Sequence, residues 1–360
     1  DRLYDCLPMY HSNGGILATL GVLIRGGSVV IREKFSVREF WSDIIRNNCT
    51  LFFYIGELCR YLLNAPPSLN DRQHNIRLIC GNGLRPDIWH AFSDRFRIKH
   101  IREFYGATEG NIALFNFDSR PGAVGRIPKW AEIRFDVENE KPMRDAQGRC
   151  IPCAPGEIGE IIGEIIDDPN APANRFEGYA DKSADEAKIL RNVFRDGDAW
   201  FRSGDLVTRD DRGYFYFVDR VGDTFRWKGE NISTNEVAET INMHQGVASC
   251  AVYGVAITDH DGKAGMAAIH LSEHESFDLE NLTRHLVDNL PPHARPLFLR
   301  LRRDIDMTGT FKIRKIDLIR EGLNPRDESE PVYILDQATQ RYRLLDDATR
   351  DAIVEGRVRL

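Results

Sequence analysis

Tyr105-Gly106-Ala107-Thr108-Glu109 follows directly on Ile101 to Tyr105, a short run that reads as a buried strand. In an open α/β sheet, ligands bind just beyond the C-terminal ends of parallel strands. Gly106 lets the backbone turn sharply there. Thr108 offers a hydroxyl to phosphate, and Glu109 offers hard oxygen to Mg²⁺. The ring of Tyr105 can stack on a base. The plainer alternative for the same five residues is an ordinary strand-to-loop turn.

Upstream, strands and helices alternate. Ser28 to Arg32, Thr50 to Ile55 and Ile76 to Cys80 read as strands. Ser36-Val37-Arg38-Glu39 is a capping box, followed by Phe40, Trp41, Ile44 and Ile45 at helical spacing. Cys80 runs into an expected turn at Gly81-Asn82-Gly83, and a helix is expected from Pro86 to Arg95. This alternation predicts a mostly parallel sheet covered by helices. From Gly122 the chain shifts to short strands rich in glycine, such as Gly156 to Ile161, with a hairpin around Asp210-Asp211-Arg212-Gly213. A separate α+β module follows. It is marked by a second capping box at Ser233 to Glu236, strands at Cys250 to Val255, Ala267 to Leu271 and Leu297 to Leu301, and a leucine-striped helix stopped at Pro291. The expected divisions are 1–121, 122–221 and 222–360.

Bulk properties narrow the function. With 360 residues, 42% apolar and 29% charged, the chain has room for two domains and a sizeable core. Its net charge of -7 gives no support to nucleic-acid binding. The longest uncharged apolar stretch, Gly14 to Ile24, is too short to span a bilayer, which needs roughly 20 residues. The seven cysteines are scattered. Cys150 and Cys153 form a lone C-x-x-C, read as reduced thiols rather than as a zinc site. No targeting or lipidation motif is recognisable, so a cytoplasmic location is expected, with peripheral membrane attachment left open. The opening on Asp1 rather than Met leads us to expect a piece of a longer protein.

Three more stretches carry candidate chemistry. In Trp200 to Asp205, a carboxylate after a glycine can accept both ribose hydroxyls of a nucleotide, or it is a simple turn aspartate. In Asp219-Arg220-Val221-Gly222-Asp223, Arg220 can reach ribose or phosphate oxygens, and Gly222 can absorb a domain rotation. The alternative is a surface ion pair at a linker. The basic loop Thr308 to Lys315 could deliver Lys312 to a developing negative charge, or Lys312 is a solvated surface cation.

In this order the elements resemble the adenylate-forming superfamily of acyl-CoA synthetases, luciferases and peptide-synthetase adenylation domains. The likeness is closest to the fatty acid transport protein and very-long-chain acyl-CoA synthetase family. It is carried by Leu7-Pro8-Met9-Tyr10-His11-Ser12, Tyr54 to Leu63, Asp223 to Asn231 and Thr308 to Lys312. The stretch Tyr342 to Leu360 looks like that family's C-terminus. The resemblance implies a partial large N-terminal domain, with a parallel α/β sheet and a small β-rich subdomain, followed by a small mobile α+β C-terminal domain.

It also implies roles. Gly81, Asn82 and Gly83 would line an adenine pocket, with Tyr105 and Gly106 against the base. Thr108 would contact the α-phosphate and Glu109 would hold Mg²⁺. Asp205 would hold the ribose, assisted by Arg220. Lys312 would bridge the attacking carboxylate and the α-phosphate, and His11 would lie near that carboxylate. Gly229, Glu230 and Asn231 would face the site when CoA attacks. The implied activity is fatty acid–CoA ligation through an acyl-adenylate, using ATP, Mg²⁺ and CoA and coupled to fatty acid uptake. Two departures stand out. Phe311 precedes Lys312 where most of the superfamily has glycine, as in the fatty acid transport type. The superfamily's phosphate loop is absent from the chain, which keeps open an inactive nucleotide- or acyl-binding fragment. A further alternative is an adenylation domain that loads a carrier protein, against which the Arg226 to Asn231 run and Phe311 argue. Acyl chain length and oligomeric state are not legible in the sequence.

Overall fold

The computed structural model describes residues 1–360 except 107–110, 127–130, 138, 167, 169–173, 177, 179–181, 259, 261, 273–274, 303–314, 328 and 359. Two compact units form. The first holds Asp1–Phe135 and Pro142–Phe217. The second takes in Asp136–Lys141 and the chain from Val218, ahead of the expected division at 222.

The first unit opens with strands β1 (Arg2–Asp5), β2 (Ser28–Ile31), β3 (Leu51–Ile55), β4 (Leu78–Asn82), β5 (Ile101–Gly106) and β6 (Ala113–Asn116). They line up as β2-β1-β3-β4-β5-β6, with β1 to β5 parallel and β6 antiparallel at one end. The helices Val37–Arg46, Gly56–Asn64 and Pro86–Phe96 cover it. Ser36 caps the first by accepting from the Glu39 amide, and Pro86 opens the third, where its missing N–H costs nothing. Their apolar stripes supply Phe40, Trp41, Ile44, Leu58, Leu62, Phe92 and Phe96 to one core. Strand β4 starts and ends later than its sequence suggests. Gly81 and Asn82 are its last residues, paired with Tyr54 and Ile55, and the turn begins at Gly83 with φ +80°.

Close packing explains several glycines. A Cβ on Gly81 would stand 2.1 Å from the Tyr54 carbonyl oxygen, and one on Gly56 would stand 1.6 Å from the Gly83 oxygen. The helix Gly56–Asn64 can therefore start beside the turn after β4 only with glycine at its head.

The remainder of the first unit is largely an antiparallel sheet. Its strands are β7 (Ala123–Gly125), β8 (Ala131–Asp136), β9 (Lys141–Pro142), β10 (Ile158–Glu164), β11 (Ile189–Arg191), β12 (Ala199–Arg209) and β13 (Phe215–Arg220). Among the described residues the order is β7-β13-β12-β10-β8-β9, with β11 beside β12. The expected hairpin is present at Asp210 to Gly213, but β12 is far longer than its sequence suggests. Asp205 thus lies inside a strand, after the bulged Gly204 (φ +76°), rather than in a simple turn.

The second unit has a short hairpin of β14 (Phe225–Trp227) and β15 (Glu230–Ile232). Its main sheet comprises β16 (Val247–Ala256), β17 (Lys263–Leu271), β18 (Phe298–Arg302), β19 (Val332–Asp336) and β20 (Arg341–Leu344), in that order. Val237 and Ile241 from the helix Thr234–Asn242, and Leu282 and Leu286 from Leu279–Asn289, pack on it.

Gly56→Ala should lower stability by ~3 kcal/mol, the upper range for overpacking, because its added methyl meets backbone. Gly148→Ala, at φ +78° with open space around it, should cost only ~1–2 kcal/mol for the left-handed backbone. Denaturant midpoints of the two variants check this. Equal shifts would mean the Gly56–Gly83 approach imposes no packing constraint.

Candidate functional site

The parallel strands β1 to β5 end along one edge, the edge where an open parallel sheet binds ligands. The loop after β1 carries His11. Its backbone N–H donates to the Pro8 oxygen at 3.0 Å, and its ring Nδ1 accepts from the Asn13 amide at 3.3 Å. His11 thereby caps a π-helical segment, Ser12–Leu20, which the sequence does not announce. Gly14 and Gly15 allow that segment to lie on the Pro8 and Met9 backbone, where a Cβ would come within 2.7 and 2.2 Å of carbonyl oxygens. Asp5, at the end of β1, holds both flanks, accepting from the Leu7 amide at 2.9 Å and the Thr19 hydroxyl at 2.8 Å. Burial pushes its carboxyl pKa upward. Ile16, Leu17 and Leu20 stand exposed on this segment.

Asn13 links this loop to β4. Its side-chain amide donates to Asn82 Oδ1 at 3.0 Å. His11 and Asn82, chosen separately from the sequence, are thus joined through one residue that sequence reasoning missed.

A second missed residue lies behind the turn after β4. Glu103 sits on β5 with only 4% of its surface exposed. Its Oε2 accepts from the Gly83 amide and its Oε1 from the Leu84 amide, both at 3.0 Å, and the Tyr54 hydroxyl also donates to Oε1. Burial pushes the Glu103 carboxyl up to about 8 against these three stabilising bonds, and it raises the Tyr54 phenol as well. In the sequence it is one of two charged neighbours, Arg102 and Glu103, in the run before Tyr105, and only its burial sets it apart.

Tyr105 and Asp205 come together across 100 residues of sequence, the phenol hydroxyl donating to Asp205 Oδ2 at 2.6 Å. The bulge that aims Asp205 is held from behind. Its amide donates to Ser203 Oγ at 3.0 Å, the Gly204 amide donates to Glu160 Oε1 at 3.1 Å, and Arg202 forks onto the same buried Glu160. Gly81, Asn82, Gly83, Tyr105, Gly106 and Asp205 all belong to the first unit. Thr108, Glu109 and Lys312 lie outside the described residues.

Gly229, Glu230 and Asn231 belong to the second unit, as does Arg220, because the last three residues of β13 fall past the division at Val218. Lys228 and Gly229 both have positive φ, 51° and 87°, the conformation of a tight two-residue hairpin turn, and Glu230 and Asn231 are exposed beyond it. Arg220 follows Asp219, a buried carboxylate missed in the sequence. Asp219 accepts from the Arg220 amide at 2.9 Å, and from the Thr234 amide at 2.6 Å and hydroxyl at 3.0 Å. Burial raises its pKa while the Lys315 charge opposes the rise. Lys315 bonds both Asp223 at 2.9 Å and Thr234 at 3.0 Å, so the backbone on either side of Gly222 is tied down. Among the described residues no group of His, Cys, Asp and Glu is arranged to hold a metal, and no helix is long and apolar enough to cross a membrane.

A mostly parallel sheet, followed by a bulged antiparallel sheet and an α+β unit, is the architecture of an adenylate-forming enzyme. The family comparisons agree, and this chain belongs to the AMP-binding enzyme family: residues 1–164 match the AMP-binding enzyme model and 236–312 the AMP-binding enzyme C-terminal domain, together more than half of the chain. It is 47% identical to long-chain fatty acid transport protein 1 of Homo sapiens over 99% of its own length and 56% of that protein. It is 44% identical to the human long-chain fatty acid transport protein 3, over 100% of its length and 53% of that protein. The chain therefore spans about half the length of these relatives. Two solved structures share the fold at 23% identity. ATP-bound MatB from Rhodopseudomonas palustris aligns with TM-score 0.73 over 90% of this chain and 61% of that one. The O-succinylbenzoate coenzyme A synthetase MenE from Bacillus subtilis, in complex with AMP, aligns with TM-score 0.66 over 92% and 61%.

Glu103 gives a pH prediction. Its folded pKa lies above the ordinary 4.5, so folding takes up a proton. Its contribution to stability is complete below about 4.5 and lost as pH rises through about 8. Between those values the wild-type chain should lose up to ~1.4 kcal/mol per pH unit relative to Glu103→Gln. Denaturation series at several pH values test this, and parallel curves for the two proteins would refute it.

Proposed function

We propose that the chain is the adenylating part of a long-chain or very-long-chain fatty acid–CoA ligase. The observation that carries this is the Tyr105–Asp205 pair. It joins the parallel-sheet edge to the bulged strand, beside the Gly81 to Gly83 segment, in a chain that matches fatty acid transport proteins from end to end. Proteins of this fold have been solved with ATP and with AMP bound, which supports a nucleotide as a ligand of this chain.

In the first step, a fatty acid carboxylate oxygen attacks the α-phosphorus of ATP, the bond to the β-phosphate oxygen breaks, and pyrophosphate leaves. In the second, the CoA thiolate attacks the acyl carbon and AMP leaves with the electron pair of the mixed anhydride. Asn82, Gly83 and Tyr105 hold the base, with Gly106 giving the backbone room, and Asp205 accepts the ribose hydroxyls, assisted by Arg220. His11 orients the acid carboxylate. Thr108 donates to the α-phosphate, and Lys312 neutralises charge between the carboxylate and that phosphate. Glu109 suits Mg²⁺, which commonly takes one or two carboxylates and fills its shell with phosphate oxygens and water. When bound, the ion neutralises charge on the phosphates. Gly229, Glu230 and Asn231 form the face presented to CoA in the second step.

The direct test is acid-dependent exchange of pyrophosphate into ATP by this polypeptide. Exchange with a long-chain acid supports the proposal and excludes an inactive remnant; ATP binding without exchange supports the remnant. Lys312→Ala should slow adenylation by ~10²–10³, the usual loss of one preorganised charge-stabilising group, and leave thioester formation from preformed acyl-adenylate far less affected. Equal losses in both half-reactions would remove that role.

A further inference from the structure

We propose that Lys315 is a positioning residue for the adenylation step, fixing the start of the helix Lys315–Glu321, just after Lys312 in the chain, to both ends of the segment Asp219 to Asp223. This rests on the reading of Lys312 as the residue that neutralises charge at the α-phosphate.

The contacts form a directed chain. Lys315 Nζ donates to Asp223 Oδ2 at 2.9 Å and to Thr234 Oγ1 at 3.0 Å. Thr234 Oγ1 lies 3.0 Å from Asp219 Oδ2 and 3.1 Å from Oδ1. An ammonium group only donates, so the hydroxyl accepts from Lys315 and turns its single proton to Asp219. One cation thereby serves two carboxylates, Asp223 directly and Asp219 through a buried hydroxyl. Asp219 also accepts from the Arg220 and Thr234 amides and from the Asn235 side chain, and Lys315 is the charge set against the cost of its burial. The Lys315 and Asp223 side chains are only 24% and 31% exposed, so water screens the pair less than it would on an open surface. Asp219, Asp223, Thr234 and Lys315 all belong to the second unit, so the tie is internal to it.

The helix is thus held along its length. Leu318 packs into the core of the second unit, and Glu321 pairs with the buried Arg300 at 2.7 Å. Lys315 anchors the near end. Three residues of chain reach at most ~10 Å, so the place where Lys315 is fixed bounds the place to which Lys312 can be delivered. With the Lys315 charge removed, the first turn of a short helix is free to fray, and that bound loosens.

The test compares the wild-type chain with Lys315→Met, Lys315→Arg and Lys315→Met combined with Lys312→Ala. In Lys315→Met, amide exchange in peptides covering 219–224 and 315–321 should speed about tenfold, the scale of one charge-assisted hydrogen bond, with the β16 to β18 strands unchanged. Acid-dependent pyrophosphate exchange should slow by the same factor, while ATP affinity and thioester formation from preformed acyl-adenylate hold steady. Lys315→Arg, which keeps the charge, should recover most of the rate. In the Lys312→Ala background the Lys315→Met substitution should add little, because the residue it positions is already gone. Asp223→Ala removes the same ion pair from its other side and takes the place of Lys315→Met if that variant does not fold. Unchanged amide exchange, equal losses in the two half-reactions, or a full additional loss on top of Lys312→Ala overturns the inference. Wild-type protein without pyrophosphate exchange overturns the adenylation reading itself, a result separable from failure of the variants alone.

Discussion

A carboxyl buried in a parallel sheet must find donors or remain a cost to the fold, and Glu103 finds them in the turn that the next strand over has just made. Its two oxygens collect the Gly83 and Leu84 amides, and Tyr54 closes the third side. Three parallel strands, β3, β4 and β5, are thereby cross-linked at the edge where loops leave the sheet. The glycines around them belong to the same constraint. Gly56 and Gly81 have no room for a methyl group because neighbouring backbone has already been drawn in. Burial at this point has one further effect, a carboxyl that titrates near neutrality instead of in the usual acidic range.

The same arrangement recurs around the other candidate residues, each aimed by a buried polar partner that does not itself face a ligand. Asp5 pins the two flanks of the His11 loop. Glu160 and Arg202 hold the bulge that presents Asp205. Asp219 gathers the start of the helix Thr234–Asn242 against the chain leading to Gly222. In each case a charge inside the protein is satisfied by several hydrogen bonds, and losing one donor leaves a buried acceptor unmatched.

Much of this was legible in advance, for physical reasons that can be named. Strand and helix alternation, capping serines at Ser36 and Ser233, and the stop at Pro291 depend on local chemistry, and the corresponding elements formed. Tyr105 and Asp205 stood out as polar groups beside glycines, and the structure brings them into contact. Three features were not legible. The π-helical segment after His11 has Gly14 and Gly15 folded onto the Pro8 and Met9 carbonyls, a close approach that no helical periodicity encodes. The length of β12 depends on pairing with β10 and β11, which no local propensity encodes. Strand β4 extends through Asn82 because Ile55 is there to pair with it. Glu103 and Asp219 looked like ordinary charged residues because burial, the property that distinguishes them, belongs to tertiary structure.

The central claim is that a nucleotide binds at the C-terminal edge of the parallel sheet, against the turn that Glu103 holds and the strand that carries Asp205. Amide hydrogen exchange, with and without saturating ATP and Mg²⁺, tests it most directly. The account predicts slowed exchange in peptides covering 78–84, 101–106 and 200–206, with the β16 to β18 strands unchanged. Unaltered exchange in all three peptides while ATP is bound would contradict it.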